Sequence, residues 1–248
     1  MSTVGGAAAR PLSVRDRFLA LVPAALSPAA LGRVRALLFA LALVPLARLF
    51  VLGFSDRLGA NPVEFVMRSL GTWTLVMLCL TLSITPLRWL TGWAWLVRLR
   101  RMIGLCCFFY VVLHFTTYIW LDQWFDLASI GKDITKRPYI TAGFAAFLLL
   151  IPLAATSTNG MVKRLGGKNW QRLHRLVYLI APLAILHYWW HKAGKNDFGT
   201  VSIFAAVVAM LLAVRLIRWA RESARQPFGG SSDSPAYRSS IRSRRRTQ

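Results

Sequence analysis

Long apolar stretches are the feature of this sequence that most restricts its possible folds. A helix needs about 20 mostly apolar residues to cross the hydrocarbon core of a membrane, and six stretches approach or reach that length. They are Ala36–Phe54, Gly71–Leu90, Met102–Leu121, Tyr139–Thr156, Leu173–Trp190 and Gly199–Ile217. The connections between them are too short for separate folded domains. The sequence therefore predicts an all-α integral membrane protein, folded as one six-helix transmembrane bundle over residues 36–217.

The regions outside the predicted bundle have a different composition. Residues 1–35 contain an apolar run that is interrupted by Pro23 and Pro28. We interpret this region as a cytoplasmic or interfacial extension and not as a signal peptide. Residues 218–248 are rich in Ser, Arg and Gly and lack the apolar residues of a core, which predicts disorder.

The basic residues are unevenly distributed along the chain, which carries a formal net charge of +22. Of the 31 Lys and Arg residues, 23 fall near the two termini and in the connections after the second and fourth spans. The other three connections hold six of the nine acidic residues. Basic residues accumulate on the cytoplasmic side of membrane proteins. This pattern predicts that both termini are cytoplasmic, and it favours contact with the lipid bilayer over binding of nucleic acid.

Three histidines lie inside the predicted spans, where an ionisable side chain is costly and usually functional. His114 lies about 18 Å from the cytoplasmic start of the third span, at a rise of 1.5 Å per residue. On the fifth span, His174 lies near the cytoplasmic edge and His187 about 20 Å further along, so His114 and His187 share a depth. Neutral imidazole is a common ligand of haem iron. The arrangement predicts a haem between the third and fifth helices, held by His114 and His187, and a second, inner level at His174.

The inner level lacks a matching histidine on the third helix. Arg100 lies 14 residues before His114, on the same face of that helix. A guanidinium cannot ligate iron as an imidazole does, but it can hold a haem propionate or a phosphate. The inner site therefore has a single histidine with an open or different second ligand, or it holds no haem. On a straight helix His174 and His187 are about 140° apart, unless Pro182 bends the helix.

Other polar residues in and near the spans have simpler interpretations. An intramembrane histidine can serve only as a hydrogen-bonding partner between helices. His191 follows the fifth span and is interpreted as solvated or interfacial. Cys79, Cys106 and Cys107 are predicted to be buried free thiols, and the absence of a Cys-x-x-Cys-His sequence excludes covalent haem attachment.

Two segments of the sequence resemble a known family. LRRMIGLCCFFYVVLHF (99–115) and KRPYITAGFAAFLLLIPLAATSTNGMVKRLGGKNWQRLHRLVY (136–178) look like the MsrQ (YedZ) family. Its members are the haem-binding membrane subunits of periplasmic methionine-sulfoxide reductase systems, within the ferric-reductase-like transmembrane superfamily. The resemblance covers roughly residues 36–217. It implies that His114, His174 and His187 are the haem-iron histidines and that Arg100 matches an arginine of the family.

The resemblance also implies electron transfer in the bacterial inner membrane. Electrons from the quinone pool, or from a reduced flavin, would pass through b-type haem to a periplasmic molybdopterin-containing reductase that repairs oxidised methionines. The implied cofactors are one haem b or two, and FMN. The chain would be an electron-transfer subunit of an oxidoreductase and not the subunit that reduces methionine sulfoxide. The loops Asp122–Pro138 and His191–Phe198, which carry mixed charge, are expected to dock the soluble partner.

Two other functions stay open at the level of sequence. A stand-alone ferric or cupric reductase would need a separate cytoplasmic electron donor, because the residues after the last span are too few for a flavin domain. A cofactor-free membrane scaffold would leave the intramembrane histidines and Arg100 to form a polar interface between helices.

Overall fold

The computed structural model describes residues 25–194 and 196–224, and this part of the chain is helical and contains no strand. The helices are α1 (Pro28–Phe54), α2 (Pro62–Thr91), α3 (Val97–Thr117), α4 (Leu127–Lys136), α5 (Pro138–Ala155), α6 (Asn159–Leu165), α7 (Gly167–His174), α8 (Val177–Ala193) and α9 (Gly199–Ala224). A 3₁₀ turn, Ala94–Leu96, precedes α3, and a π turn, Tyr118–Asp122, extends it. Most of the predicted N-terminal extension and of the basic tail lies outside the described residues.

Within the described residues, five helical segments are long and apolar enough to cross a membrane: Pro28–Phe54, Pro62–Thr91, Ala94–Asp122, Pro138–Ala155 and Gly199–Ala224. They coincide with five of the six predicted spans, so the all-α membrane architecture is confirmed. The remaining predicted span, Leu173–Trp190, is divided between the end of α7 and the 17 residues of α8. The count of six spans and the cytoplasmic position of both termini stay predictions.

The division between α7 and α8 falls at Arg175 and Leu176, before Pro182. The amide of Leu176 donates to the carbonyl of Leu173, and the amide of Tyr178 donates to the carbonyl of Arg175. These bonds span three residues and not four, which tightens the turn and shifts the positions of the side chains around the axis. Pro182 lies inside α8 without ending it. The angle calculated for one straight helix therefore does not apply to this region.

Capping residues explain where the first two helices begin. The side chain of Ser27 accepts a hydrogen bond from the amide of Ala30, and a proline follows it in the first turn. Asn61 caps α2 in the same way, through the amide of Glu64 at 3.1 Å. The first helix thus starts eight residues before the predicted first span, which begins at Ala36.

The described residues from 25 to 211 form one compact unit, and the end of α9 from Leu212 belongs to a second. Within the first unit, α2 packs most extensively on α3, and α5 packs most extensively on α8. Helix α3 also contacts α1 and α5, so it joins the two helix pairs. Its Tyr110 is completely buried and donates a hydrogen bond of 2.6 Å to the carbonyl of Ala42 in α1. The three cysteines are free, and Cys106 and Cys107 are buried.

Candidate cofactor site

Helices α2, α3, α5 and α8 surround a cavity of about 740 Å³. Its interior is largely apolar, with Leu78, Val111 and Phe147 among the lining residues. Three histidines also line it, His114 from α3 and His187 and His191 from α8. The volume falls within the range of about 300–1,000 Å³ that is usual for cofactor and ligand pockets.

The rings of His114 and His187 lie close together in the lining of this cavity. Their centroids are 6.2 Å apart, and the ring planes are inclined by 78°. The structure therefore brings together the two histidines for which the sequence predicted a common depth, although they are 73 positions apart in the chain. A pair of imidazoles of this kind could supply two ligands to a haem iron.

Each of the two imidazoles is oriented by a main-chain carbonyl. The Nδ1 atom of His114 lies 2.9 Å from the carbonyl oxygen of Met67 in α2. The Nδ1 atom of His187 lies 2.6 Å from the carbonyl oxygen of Tyr139 in α5. A carbonyl only accepts hydrogen bonds, so Nδ1 carries the proton in both neutral rings and Nε2 keeps its lone pair. Contacts of this type fix the tautomer and orientation of metal-binding histidines.

A glycine follows four residues after each of these carbonyls. Gly71 follows Met67 on α2, and Gly143 follows Tyr139 on α5. Residues four apart lie on the same face of a helix, so a larger side chain at either glycine would stand where the histidine ring approaches. A Cβ atom at Gly71 would lie 3.2 Å from Cε1 of His114, and one at Gly143 would lie 2.6 Å from Nδ1 of His187.

The amino-acid sequence does not reveal this arrangement of carbonyls and glycines. The side chains of Met67 and Tyr139 do not indicate a contact with a histidine, because only the main-chain carbonyl of each residue takes part. The one sequence feature that could have indicated this arrangement was a glycine inside one span at the same depth as a histidine on another span. Gly71 and Gly143 met that condition, but ordinary close packing of helices explains such glycines equally well.

His191, which the sequence led us to interpret as solvated or interfacial, also contributes to this site. The structure places it half-buried in the wall of the same cavity. Its ring centroid is 5.6 Å from that of Tyr139, which is itself 6.2 Å from that of His187. Because His191 lies four residues after His187, the two side chains share a face of α8. The predicted span ended before His191, so its place in the cavity lining was not predicted.

Charged side chains contribute to one side of the cavity lining. Arg68, Arg137 and Lys192 supply positive charge, and Glu64, Asp122 and Asp197 supply negative charge. The side chain of Lys192 is only 3% exposed and forms an ion pair with Asp197. The hydrogen bond from this ammonium lowers the pKa of the Asp197 carboxyl. The site therefore combines an apolar interior with a set of charged groups that polar substituents of a cofactor can meet.

His174 and Arg100 do not line this cavity. The ring of His174 stacks on Trp170 with centroids 3.9 Å apart, and its Nε2 atom lies 3.2 Å from the hydroxyl oxygen of Thr156. Arg100 and Arg101 are close enough to His174 to interact with its ring electrostatically. The structure thus brings His174 and Arg100 together in a separate inner group. Their roles as an iron ligand and as a propionate-binding residue stay predictions.

Comparison with known proteins relates the chain to membrane redox proteins. A family described as "Ferric reductase like transmembrane component" matches residues 69–185. The haem-binding subunit MsrQ of protein-methionine-sulfoxide reductase from Ralstonia nicotianae is 62% identical over 206 residues, which cover 83% of this chain and 94% of that protein. The protein of the same name from Herminiimonas arsenicoxydans is 58% identical, over 84% of this chain and 95% of its own length. That from Bordetella pertussis is 56% identical, over 81% and 97%. No solved structure matches the chain significantly.

Proposed function

The chain belongs to the MsrQ family of haem-binding subunits of protein-methionine-sulfoxide reductase, and on that premise we propose that it holds a b-type haem between His114 and His187. It is a multi-pass membrane protein of the ferric-reductase-like transmembrane type. When bound, haem supplies a one-electron carrier inside the membrane. The residues of the chain bind this group, orient its ligands and keep water away from it.

The separation of the two imidazole rings gives the strongest structural support for this proposal. A bond between a metal ion and an imidazole nitrogen is about 2 Å long, and a ring nitrogen lies about 1 Å from the centre of its ring. Two imidazoles that bind the same metal ion therefore have centroids no more than about 6 Å apart. The centroids of His114 and His187 are 6.2 Å apart. The two side chains are therefore close enough for both to bind one iron.

The walls of the cavity suit a large, flat and mostly apolar ring system. Phe115 packs between two aromatic side chains of α5, with centroids 4.7 Å from Phe147 and 5.8 Å from Phe144. All three residues line the cavity. Burial in such surroundings, together with the identity of the axial ligands, is what sets the reduction potential of a haem. The charged side of the lining, with Arg68 and Lys192, suits the propionate groups of the porphyrin.

The proposed electron pathway leads across the membrane. Electrons enter from the quinone pool or from a reduced flavin such as FMN, and they leave towards a periplasmic molybdopterin-containing reductase that repairs oxidised methionines. The bacterial inner membrane is the proposed location. These details follow from the family resemblance, and the sequence offers no specific residues for the quinone or the flavin.

The segment after α3 provides a surface for the soluble partner near the cavity. Trp124 and Phe125 are 77% and 61% exposed, and they follow Asp122, which lines the cavity. Asp133 of α4 is buried, forms an ion pair of 3.1 Å with Arg137, and accepts a hydrogen bond from the hydroxyl of Tyr118. These contacts hold α4 against the end of α3. The loops 122–138 and 191–198 are therefore proposed as the docking surface.

A visible spectrum of the purified protein tests the proposed cofactor directly. Protein made in cells with sufficient iron and haem precursor is expected to show a Soret band, with sharp α and β bands after reduction. Quantitative haem extraction gives the number of haems per chain. A colourless preparation that does not take up added haem would contradict the proposal.

The variant His174→Ala tests whether the outer pair, His114 and His187, binds haem independently of the inner group. Because His174 does not line the cavity, we expect this variant to keep at least one haem with an unchanged spectrum of two histidine ligands. If a second haem depends on His174, the haem content will fall from two per chain to one. Loss of all haem in a variant that is still folded would show that the outer assignment is wrong.

A further inference from the structure

A second cavity, of about 620 Å³, lies between α1 and α3 and shares no lining residue with the cofactor cavity. Three arginines line it, Arg35 from α1 and Arg98 and Arg101 from α3. Apolar side chains form the rest of its wall, among them Phe39, Leu43, Met102, Leu105 and Phe109. The cavity is thus basic at one end and apolar along its length.

The three arginines have hydrogen-bond donors to spare. One nitrogen of Arg35 donates to the carbonyl of Arg98 at 3.2 Å, and one nitrogen of Arg101 donates to the side-chain oxygen of Asn159. A guanidinium has five donors, so each of these bonds uses one of them. Among the described residues between 25 and 211, none forms an ion pair with Arg35, Arg98 or Arg101. The acidic residues of this part of the chain all fall in the predicted opposite connections.

The apolar part of the cavity continues along the helices from the arginines. Phe109 lies eight residues after Arg101 on α3, a rise of about 12 Å. Phe39 is 51% exposed, Leu105 39% and Phe109 40%, so the wall is open at the surface of the described unit. Beneath this wall, the hydrogen bond from Tyr110 to Ala42 holds α3 to α1. The result is an apolar groove that begins at a cluster of three positive charges.

We propose that this groove binds one anionic phospholipid, with its phosphate against Arg35, Arg98 and Arg101 and an acyl chain along Phe39 and Leu105. Basic pockets between transmembrane helices on the cytoplasmic side bind anionic lipid headgroups, and the distribution of charge predicts that this end of the helices is cytoplasmic. A neutral amphiphile would not compensate the three charges. A soluble phosphate would not need the open apolar wall.

Native mass spectrometry of the whole protein tests the proposal. Delipidated protein that retains its haem is titrated with phosphatidylglycerol or with phosphatidylcholine of the same acyl chains. We expect one phosphatidylglycerol to bind at least about tenfold more tightly than phosphatidylcholine, because charge-assisted bonds to phosphate and headgroup charge distinguish the two. Equal affinity for the two lipids would overturn the proposal.

Matched variants locate the binding. The triple variant Arg35→Gln, Arg98→Gln, Arg101→Gln should lose the preference for phosphatidylglycerol. A control, Arg57→Gln, Lys132→Gln, Lys136→Gln, removes three exposed positive charges elsewhere and should keep the preference. Haem content and melting temperature show that each variant is folded. Retention of the preference in a folded triple variant of the groove would place the lipid elsewhere and refute the proposal.

Two further measurements distinguish a lipid from other phosphate compounds. Phe39→Ser should weaken phosphatidylglycerol binding through loss of the apolar wall while it leaves the arginines unchanged. Excess inorganic phosphate or glycerol phosphate should displace little of the lipid. Complete displacement by either compound, or unchanged lipid affinity in Phe39→Ser, would show a site for a soluble anion and overturn the lipid assignment.

Discussion

Alanine at His114 or at His187 is expected to remove most of the haem from the protein. Both imidazoles line the same cavity, and the Nδ1 atom of each is held by a carbonyl, at 2.9 Å for His114 and 2.6 Å for His187. Changes to groups that only support a metal ligand already cost 10–100-fold in affinity, so loss of the ligand itself should reduce haem per chain to about a tenth or less. Pyridine haemochrome assay of the purified variants measures this.

Added imidazole distinguishes a lost ligand from a lost fold. An imidazole molecule can enter the space left by the alanine and restore the missing bond, as small ligands enter cavities made by truncation. We therefore expect imidazole to restore haem binding and the spectrum of the original protein in both variants. His191→Ala is the matched control, since it removes a histidine from the same cavity wall and should keep haem. Full haem content in His114→Ala or His187→Ala, with an unchanged spectrum, would refute the paired ligation.

The features that were predictable from sequence depend on distance along one helix. The length and composition of five spans, and the common depth of His114 and His187, follow from a rise of 1.5 Å per residue. No knowledge of neighbouring helices was needed for either. The same reasoning failed where the helix was not regular. The turn at Arg175 and Leu176 contains neither proline nor glycine, and nothing in the local sequence marks it as the end of α7.

Features that depend on the relative rotation of helices were not predictable. Met67 and Tyr139 contribute carbonyl oxygens, and every residue has one, so no residue type indicates which carbonyl a histidine reaches. The position of His191 in the cavity wall depends on which face of α8 meets α5. The sequence gives the spacing of four from His187 but not the direction in which that face points. The contacts between α5 and α8 supply this information.

Gly143→Ala is expected to disturb the site strongly and Gly71→Ala more weakly. At Gly143 the added methyl carbon would lie 2.6 Å from Nδ1 and 2.9 Å from Cε1 of His187, so the ring must move and the bond to Tyr139 must break or lengthen. At Gly71 it would lie 3.2 Å from Cε1 of His114, which a shift of a few tenths of an ångström relieves. Alanine is favoured over glycine inside a helix by about 0.5–1 kcal/mol, so helix propensity alone predicts the opposite, a gain in stability.

The haem affinity of the glycine variants measures how much each hydrogen bond between a histidine and a carbonyl contributes to haem binding. A lost supporting contact predicts that Gly143→Ala binds haem at least about tenfold more weakly, with a spectrum that shows weaker or mixed ligation, while Gly71→Ala changes affinity less. Gly104→Ala is the control, because its methyl carbon would meet only Thr81 at an ordinary 3.7 Å and should leave haem binding unchanged. If Gly143→Ala binds haem as the original protein does, the bond from His187 to Tyr139 does not position the ligand. The orientation of this imidazole would then come from the packing of α8 on α5.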